Sequence, residues 1–328
     1  MPGRAFRPLL ALGAALAVPV ASLASCSAGG GSSSSASGGP GTLLVVTSFY
    51  PIEFAVEQVG GSHVSVRSLT KPGTEPHDLE LSPKDVAGVA DAGLVVYAGG
   101  FQPAVDTAVA QEGAAHAFDV APAAHLDLAA PAEGDDPKAE AVAGGTATTS
   151  PAPDIAKDPH FWLDPERYAA VANAIAGRLT EADPPHAADY TANAARFADS
   201  LRGLDGELKA GLATCTNRDL VTSHAAFGYL SQRYGLTQVA IAGLSPDVEP
   251  SGARLAEIAT FVKANHVSTI YAETLVEPAF AQTVSRSTGA TVATLDPIEG
   301  LTSESAGRDY LEVMRSNLAT LRTGQGCS

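Results

Sequence analysis

Four side chains with metal-ligating chemistry sit where the chain changes direction. His77 stands in the turn Lys71-Pro72-Gly73-Thr74-Glu75-Pro76-His77-Asp78, just after a strand-like run, and His160 stands in Asp158-Pro159-His160-Phe161-Trp162-Leu163-Asp164-Pro165. His224 ends the run 220–223, and Asp296 falls between the run 291–295 and Pro297. Three neutral imidazoles and one carboxylate form a tetrahedral set suited to zinc, because nitrogen donors match a borderline ion and the carboxylate lowers its net charge. A proline adjoins His77, His160 and Asp296 and restricts the backbone there, which fixes where each side chain points. Separations of 83, 64 and 72 residues make no local motif. Taken singly, each histidine reads as a core or helix-terminal residue; what joins them is a shared place at one edge of the expected sheets.

The elements around these residues alternate. Runs at 43–47, 64–69, 94–98 and 116–120 read as strands, with helical stretches at 53–59, 83–91 and 102–111 between them. The alternation returns with strands at 220–222, 237–242, 269–272 and 291–295 and helices at 225–234, 251–265, 278–288 and 306–322. Strands alternating with helices indicate parallel sheet, and binding groups in such folds gather at the carboxyl ends of the strands. Between the halves, 165–180 and 186–212 carry helical patterns split by Asp183-Pro184-Pro185. In the second, Tyr190, Ala194, Phe197, Leu201, Leu204 and Leu208 recur at spacings of three and four, the mark of one apolar face. The expectation is an α/β fold of two domains, each a parallel sheet flanked by helices, joined by one long rigid helix. The N-terminal domain is placed at 42–185, the bridging helix at 186–212 and the C-terminal domain at 213–328. Residues 121–157, rich in Pro, Ala, Gly and Thr without an apolar period, read as a mobile loop inside the first domain.

The first 25 residues differ from this body. Arg4 and Arg7 precede an apolar run over 9–20, followed by Leu23-Ala24-Ser25-Cys26. That is the layout of an export signal, too short for an ordinary membrane-spanning helix. The tetrapeptide resembles a bacterial lipobox, which implies that Cys26 is lipidated and becomes the mature N-terminus. Residues 26–41, almost all Gly, Ser and Ala after the cysteine, read as a flexible tether. Loss of Arg4 and Arg7 takes the net charge from −16 to −18, which disfavours nucleic acid as a partner. Cys215 and Cys327 remain as an even pair in an exported chain, for which a disulfide is the natural inference, with free buried thiols as the alternative.

Several stretches together carry a resemblance. Pro72 to Asp78, Asp158 to Pro165, Ser223-His224-Ala225-Ala226-Phe227-Gly228-Tyr229-Leu230 and Leu295-Asp296-Pro297 resemble the zinc-type metal-binding lipoproteins that serve as solute-binding proteins of ABC importers. The likeness runs from Thr42 onward and includes Ser48-Phe49-Tyr50-Pro51 and Glu249-Pro250-Ser251. It implies two α/β domains bridged by one long helix, with the ion between them. The ligands it implies are His77, His160 and His224, with Asp296 at the usual carboxylate position and Glu75 or a water as alternatives for the fourth. Histidine at position 224, where manganese and iron carriers have glutamate, points to Zn2+. Residues 121–157 keep the place of the His-rich loop of zinc carriers but contain only His125.

The expected function is therefore that of a lipid-anchored, monomeric carrier on the outer face of the cytoplasmic membrane. It takes Zn2+ as cargo and hands it to an ABC permease and its ATPase, without enzymatic turnover. The same role for Mn2+ or Fe2+ is the nearest alternative. An exported zinc hydrolase could also use three histidines and a water, but there is no His-Glu-x-x-His, no Gly-x-Ser-x-Gly and no obvious general base. A surface adhesin fits the anchor but leaves the histidines unexplained. Of the remaining polar residues, Glu273 is a candidate for holding an imidazole in orientation. Trp162 reads as core packing behind His160, and His63, His116, His125, His186 and His266 read as surface or turn residues.

Overall fold

The structure, a computed structural model, describes residues 41–130, 157–246 and 248–328. The expected export signal, Cys26 and nearly all of the tether lie outside these residues, as do residues 131–156 of the expected mobile loop.

The chain forms two four-stranded, wholly parallel sheets. The first contains β1 (Leu43–Thr47), β2 (Val64–Ser68), β3 (Leu94–Tyr97) and β4 (Ala117–Asp119) in the order β2-β1-β3-β4. The second contains β5 (Asp219–Thr222), β6 (Thr237–Ala240), β7 (Thr269–Ala272) and β8 (Thr291–Thr294) in the order β6-β5-β7-β8. Central strands of such a sheet are covered on both faces and so lose the polar alternation of a half-exposed strand. Val45, Val46, Leu94, Val95 and Val96 are fully buried, while β8, at an edge, is largely exposed. The chain reverses its direction of travel across each sheet between β1 and β3 and between β5 and β7. Crevices at the carboxyl ends of such neighbours are where parallel sheets bind ligands.

Helices α1 (Tyr50–Gly60), α2 (Pro83–Ala90) and α3 (Pro103–Ala108) flank the first sheet. The helical stretch expected over 102–111 divides, since α3 passes into a π turn over Val109–Gly113. Next come α4 (Pro165–Ala182), capped by the Asp164 carboxylate, and α5 (Ala187–Leu212), separated by a 3-10 turn over Pro184–His186. At 26 residues α5 is about 39 Å long. Its predicted apolar face is buried as Tyr190, Ala194, Phe197, Leu201, Leu204 and Leu208, against α1, α4 and the last helix. The remaining helices are α6 (Gly228–Tyr234), α7 (Gly252–Ala264), α8 (Ala279–Thr288) and α9 (Tyr310–Gly324). The start of α9 is later than the expected 306 because Asp309 caps it, accepting the N–H of Glu312 at 2.8 Å.

One apolar cluster runs from Phe49, Phe101 and Trp162 through α4 and α5 to Phe227, Tyr229, Ile298 and Tyr310. Four of the first ten residues of the expected loop, Ala123, Ala124, Leu126 and Leu128, join it. Ala124 is buried, Leu128 accepts the N–H of Asp158, and Ala129 pairs with Lys157 in an isolated bridge. Cys215 and Cys327 form a disulfide, which fastens the end of the chain to the amino end of β5.

Candidate metal centre

His77 lies in the loop after β2, and a chain of hydrogen bonds sets that loop on the end of β1. Thr70 donates its hydroxyl to the Ser48 carbonyl at 2.8 Å. The buried Gln102 amide donates to Thr70 Oγ1 at 3.0 Å and to the Pro76 carbonyl at 3.1 Å. Glu75 closes the turn by accepting the N–H groups of His77 and Asp78 at 3.0 and 3.3 Å. The imidazole then meets Phe101 edge-on, 4.6 Å between ring centres.

His160 precedes a 3-10 turn over Phe161–Leu163 that leads into α4. Asp158 Oδ1 accepts the backbone N–H of His160 at 2.9 Å and lies 2.8 Å from its Nδ1. This sets the tautomer: with Nδ1–H held by the carboxylate, Nε2 of the neutral ring carries the lone pair available to a cation. His224 lies two residues beyond β5. Its N–H donates to Glu273 Oε1 at 3.1 Å, and the same oxygen lies 2.6 Å from its Nδ1. Glu273 follows β7, so this pair spans the crevice between the two central strands of the second sheet.

The three Nε2 atoms converge on a single oxygen. Glu299 Oε1 lies 3.0 Å from that of His160 and 3.3 Å from those of His77 and His224. One ligand atom from each of the four residues falls within 4.8 Å of the others, the one such group among the described residues, and all four are buried. Burial lowers the proton affinity of His77, and Glu299 only partly offsets it. At His160 burial acts the same way, but the carboxylates of Asp158 and Glu299 outweigh it and hold the imidazole above its ordinary value. His224 is held well above that value by Glu273 and Glu299 against the same burial. For Glu299, burial raises the carboxyl, yet the imidazoles around it hold it well below the carboxylate range. Both ring nitrogens of His224 and Glu299 Oε2 are buried without an aligned hydrogen-bond partner, so polar capacity at the site is left unused. Three imidazole nitrogens and one carboxylate oxygen are the donor types and the number that a four-coordinate zinc site uses.

The structure thus brings the three predicted histidines together, with Glu299 rather than Asp296 as the carboxylate beside them. Asp296 is buried next to the site but is used inside its own turn. Its Oδ1 accepts the N–H of Ile298 at 2.8 Å, and its Oδ2 accepts the Ser305 hydroxyl at 2.8 Å. Asn317 of α9 holds its backbone, accepting its N–H at 3.0 Å and donating to its carbonyl at 2.7 Å. These bonds keep Ile298 at φ 58°, a conformation a β-branched residue rarely adopts, and the next residue, Glu299, meets the histidines instead. The alternative, Glu75, reaches 4.0 Å from His77 Nε2 but is taken up by its local turn.

Sequence reasoning missed Glu299 and the orienting role of Asp158. The available signals were a second carboxylate three residues beyond Asp296 in the same post-strand turn, and an acid two residues before His160. Glu273 stands against His224 as the sequence suggested, and Trp162 is fully buried behind His160. His63 and His186 stack on each other near the surface and pair with Asp189 and Asp183, away from the metal group. His116 bonds to the Val89 carbonyl, and His125 and His266 occupy left-handed turn positions.

With this geometry in hand, the chain matches over residues 45–324 the family described as "Zinc-uptake complex component A periplasmic". It is 37% identical over 287 residues to the zinc-binding lipoprotein AdcA of Streptococcus pneumoniae serotype 4. That alignment covers 86% of this chain but 56% of AdcA, so the chain spans about half the length of that relative. It is 34% identical over 283 residues to the high-affinity zinc uptake system protein ZnuA of Bacillus subtilis, covering 85% of this chain and 86% of that one. The crystal structure of Zn(II)-bound AdcA from Streptococcus pneumoniae superposes with a TM-score of 0.70 at 35% identity, over 87% of this chain and 58% of the other.

Proposed function

The chain belongs to the family of periplasmic zinc-uptake component A proteins, and from that premise we propose that it captures Zn2+ on His77, His160, His224 and Glu299 and delivers it to an ABC permease. The observation that carries this reading is the convergence of three buried Nε2 atoms on Glu299 Oε1. The ion is cargo and undergoes no reaction. Asp158 and Glu273 hold two imidazoles with Nε2 inward, so the donors are arranged before the ion arrives and little ordering is paid on binding. The ion takes the place of the protons shared between the imidazoles and Glu299. Capture therefore releases protons, and delivery requires the ligand set to be pulled apart.

Membrane attachment belongs to the same proposal. Cys26, at the end of the export signal, takes the lipid, and the Gly/Ser tether sets the body on the outer face of the membrane beside the permease. No helix among the described residues is long and apolar enough to cross a membrane, and one relative is itself named a lipoprotein.

Titration of metal-stripped 27–328 protein with Zn2+ tests the reading. One ion per chain is expected, bound more tightly than Mn2+, with His224→Ala abolishing tight uptake. Stoichiometric uptake that is indifferent to His224→Ala, or preference for Mn2+, would refute the site or the cargo. Labelling with palmitate in cells, lost in Cys26→Ala, tests the anchor.

A further inference from the structure

Gly228 begins α6 at the point where that helix meets the segment that carries His160. A side chain there strikes Asp158 first, since an ideal Cβ falls 2.4 Å from Asp158 Oδ2 and 3.2 Å from Leu128 Cδ1. The backbone at Gly228 is not left-handed, so glycine supplies space here and no special conformation. Alanine is the better helix former by about 1 kcal/mol in a helix interior, so helix propensity gives no reason for glycine.

The space is occupied by a carboxylate with a task. Asp158 is 2% exposed. Its Oδ1 holds both the backbone N–H and Nδ1 of His160, and its carbonyl accepts the hydroxyl of Tyr229, the residue after Gly228, at 3.1 Å. The first turn of α6 therefore packs closely on the Asp158 carboxylate at Gly228 and bonds its backbone through Tyr229. A methyl group at 228 would push Oδ2 back and rotate Oδ1 off the imidazole. His224 lies four residues upstream on the same short segment, so one piece of chain sets two of the four donors.

We propose that Gly228 is a positioning residue for the metal centre: its missing side chain seats Asp158 against α6 and so keeps His160 Nε2 aimed at the ion. This rests on the zinc reading above. The test is a double-mutant cycle on the 27–328 protein, with Zn2+ dissociation constants from chelator competition and thermal unfolding of the stripped protein. Gly228→Ala is expected to weaken zinc by about 10–100-fold, the range for a group that orients a ligand. Asp158→Ala is expected to do the same, and the double variant to bind no more weakly than Asp158→Ala alone, since the methyl then fills space the carboxylate has left. Unchanged affinity in Gly228→Ala, or a loss that adds in full to that of Asp158→Ala, overturns the proposal. So does a fall in melting temperature equal in both backgrounds with no change in affinity. If Gly228→Ala alone fails to fold, recovery of folding in the double variant supports the clash with Asp158, and no recovery refutes it. Wild-type protein that takes up no zinc would sink the zinc reading itself, whereas tight wild-type binding with an indifferent Gly228→Ala sinks only the role of Gly228.

Discussion

Trp162 donates its indole N–H to the carbonyl oxygen of Pro297 at 2.8 Å, tying the segment that carries His160 to the turn that carries Glu299. The two residues sit two positions beyond one proposed ligand and two before the other. Tyr310 of α9 donates in turn to the carbonyl of Trp162, so the tie is anchored in the core. Trp162→Phe keeps most of the packing and leaves the buried Pro297 carbonyl without this donor, at a cost of about 1–3 kcal/mol. A lower melting temperature and weaker zinc binding are expected together. Loss of stability with unchanged affinity would show that the bond supports the core and not the site.

Asp296 and Glu299 should separate cleanly. Glu299→Ala removes a donor to the ion and the carboxylate that the buried imidazoles hold ionised, so the metal-free protein should lose some stability as well, and the two variants separate by zinc affinity. Zinc affinity should fall by more than the roughly 10–100-fold typical of an orienting group. Asp296→Ala instead strips the acceptors from Ile298 and Ser305 and releases the strained turn. It should lower the melting temperature first and affect zinc through that loss of order. Calorimetric titration and thermal unfolding on both variants decide the matter, and the reverse ranking would return the ligand role to Asp296.

That contrast also marks where the sequence stopped being informative. β-branched runs between helical patterns place both parallel sheets, because strands buried on two faces must be apolar throughout. The prolines beside His77 and His160 mark rigid turns, and the period along Tyr190 to Leu208 gives the face of α5 before any partner is known. Glu299 was hidden for a physical reason: its direction depends on Ile298 at φ 58°, which residue preferences argue against. Long-range bonds from Asn317 and Trp162 hold that turn, and neither can be read locally. The service of Asp158 to His160 was similarly masked, since an aspartate before proline reads as a turn former.

Acid should release the ion, and the shifts fix the direction. His160 and His224 are held above the ordinary imidazole value, near 6.5, so protons compete with zinc from above that pH downward. A histidine with a raised value in the fold contributes stability that is fully present below the unfolded value and is lost as pH rises through the folded one. The metal-free protein therefore loses this contribution toward alkaline pH, while zinc binding strengthens there. The melting-temperature gap between loaded and stripped protein should widen from about pH 6 to about pH 8, with more than one proton displaced per ion. A gap independent of pH over that range would mean these imidazoles do not hold the ion.

The disulfide should matter for stability and not for affinity. Cys215 and Cys327 are separated by 112 residues in sequence, and they join at the amino end of β5, whereas His224 leaves its carboxyl end. Four residues of strand put about 13 Å between those ends. Removing such a cross-link typically costs about 2–5 kcal/mol. Cys215→Ser with Cys327→Ser should melt at a lower temperature and bind zinc as before. Two titratable thiols in unfolded, unreduced 27–328 protein would contradict the cross-link outright.

Arg233 supplies the last separation of stability from binding. From α6 its Nε lies 2.6 Å from Asp205 of α5 and 3.3 Å from Asp164, the cap of α4, so one guanidinium fastens three helices. Lys209 and the Tyr234 hydroxyl also reach Asp205, at 2.6 and 3.1 Å. Burial raises the Asp205 carboxyl, but its bonds to Arg233 and Lys209 outweigh this and leave it below the ordinary range. A carboxyl depressed in the fold contributes stability that is present above its unfolded value, near 3.9, and lost as pH falls through the folded one. Arg233→Met leaves Asp164 and Asp205 without their shared partner, at about 3 kcal/mol near neutral pH. Because Asp205 then titrates closer to its unfolded value, the variant's deficit should shrink below about pH 4. Denaturant unfolding at neutral and acid pH measures this directly, and a deficit equal at both would assign the loss to the packing of the arginine stem and not to its charge.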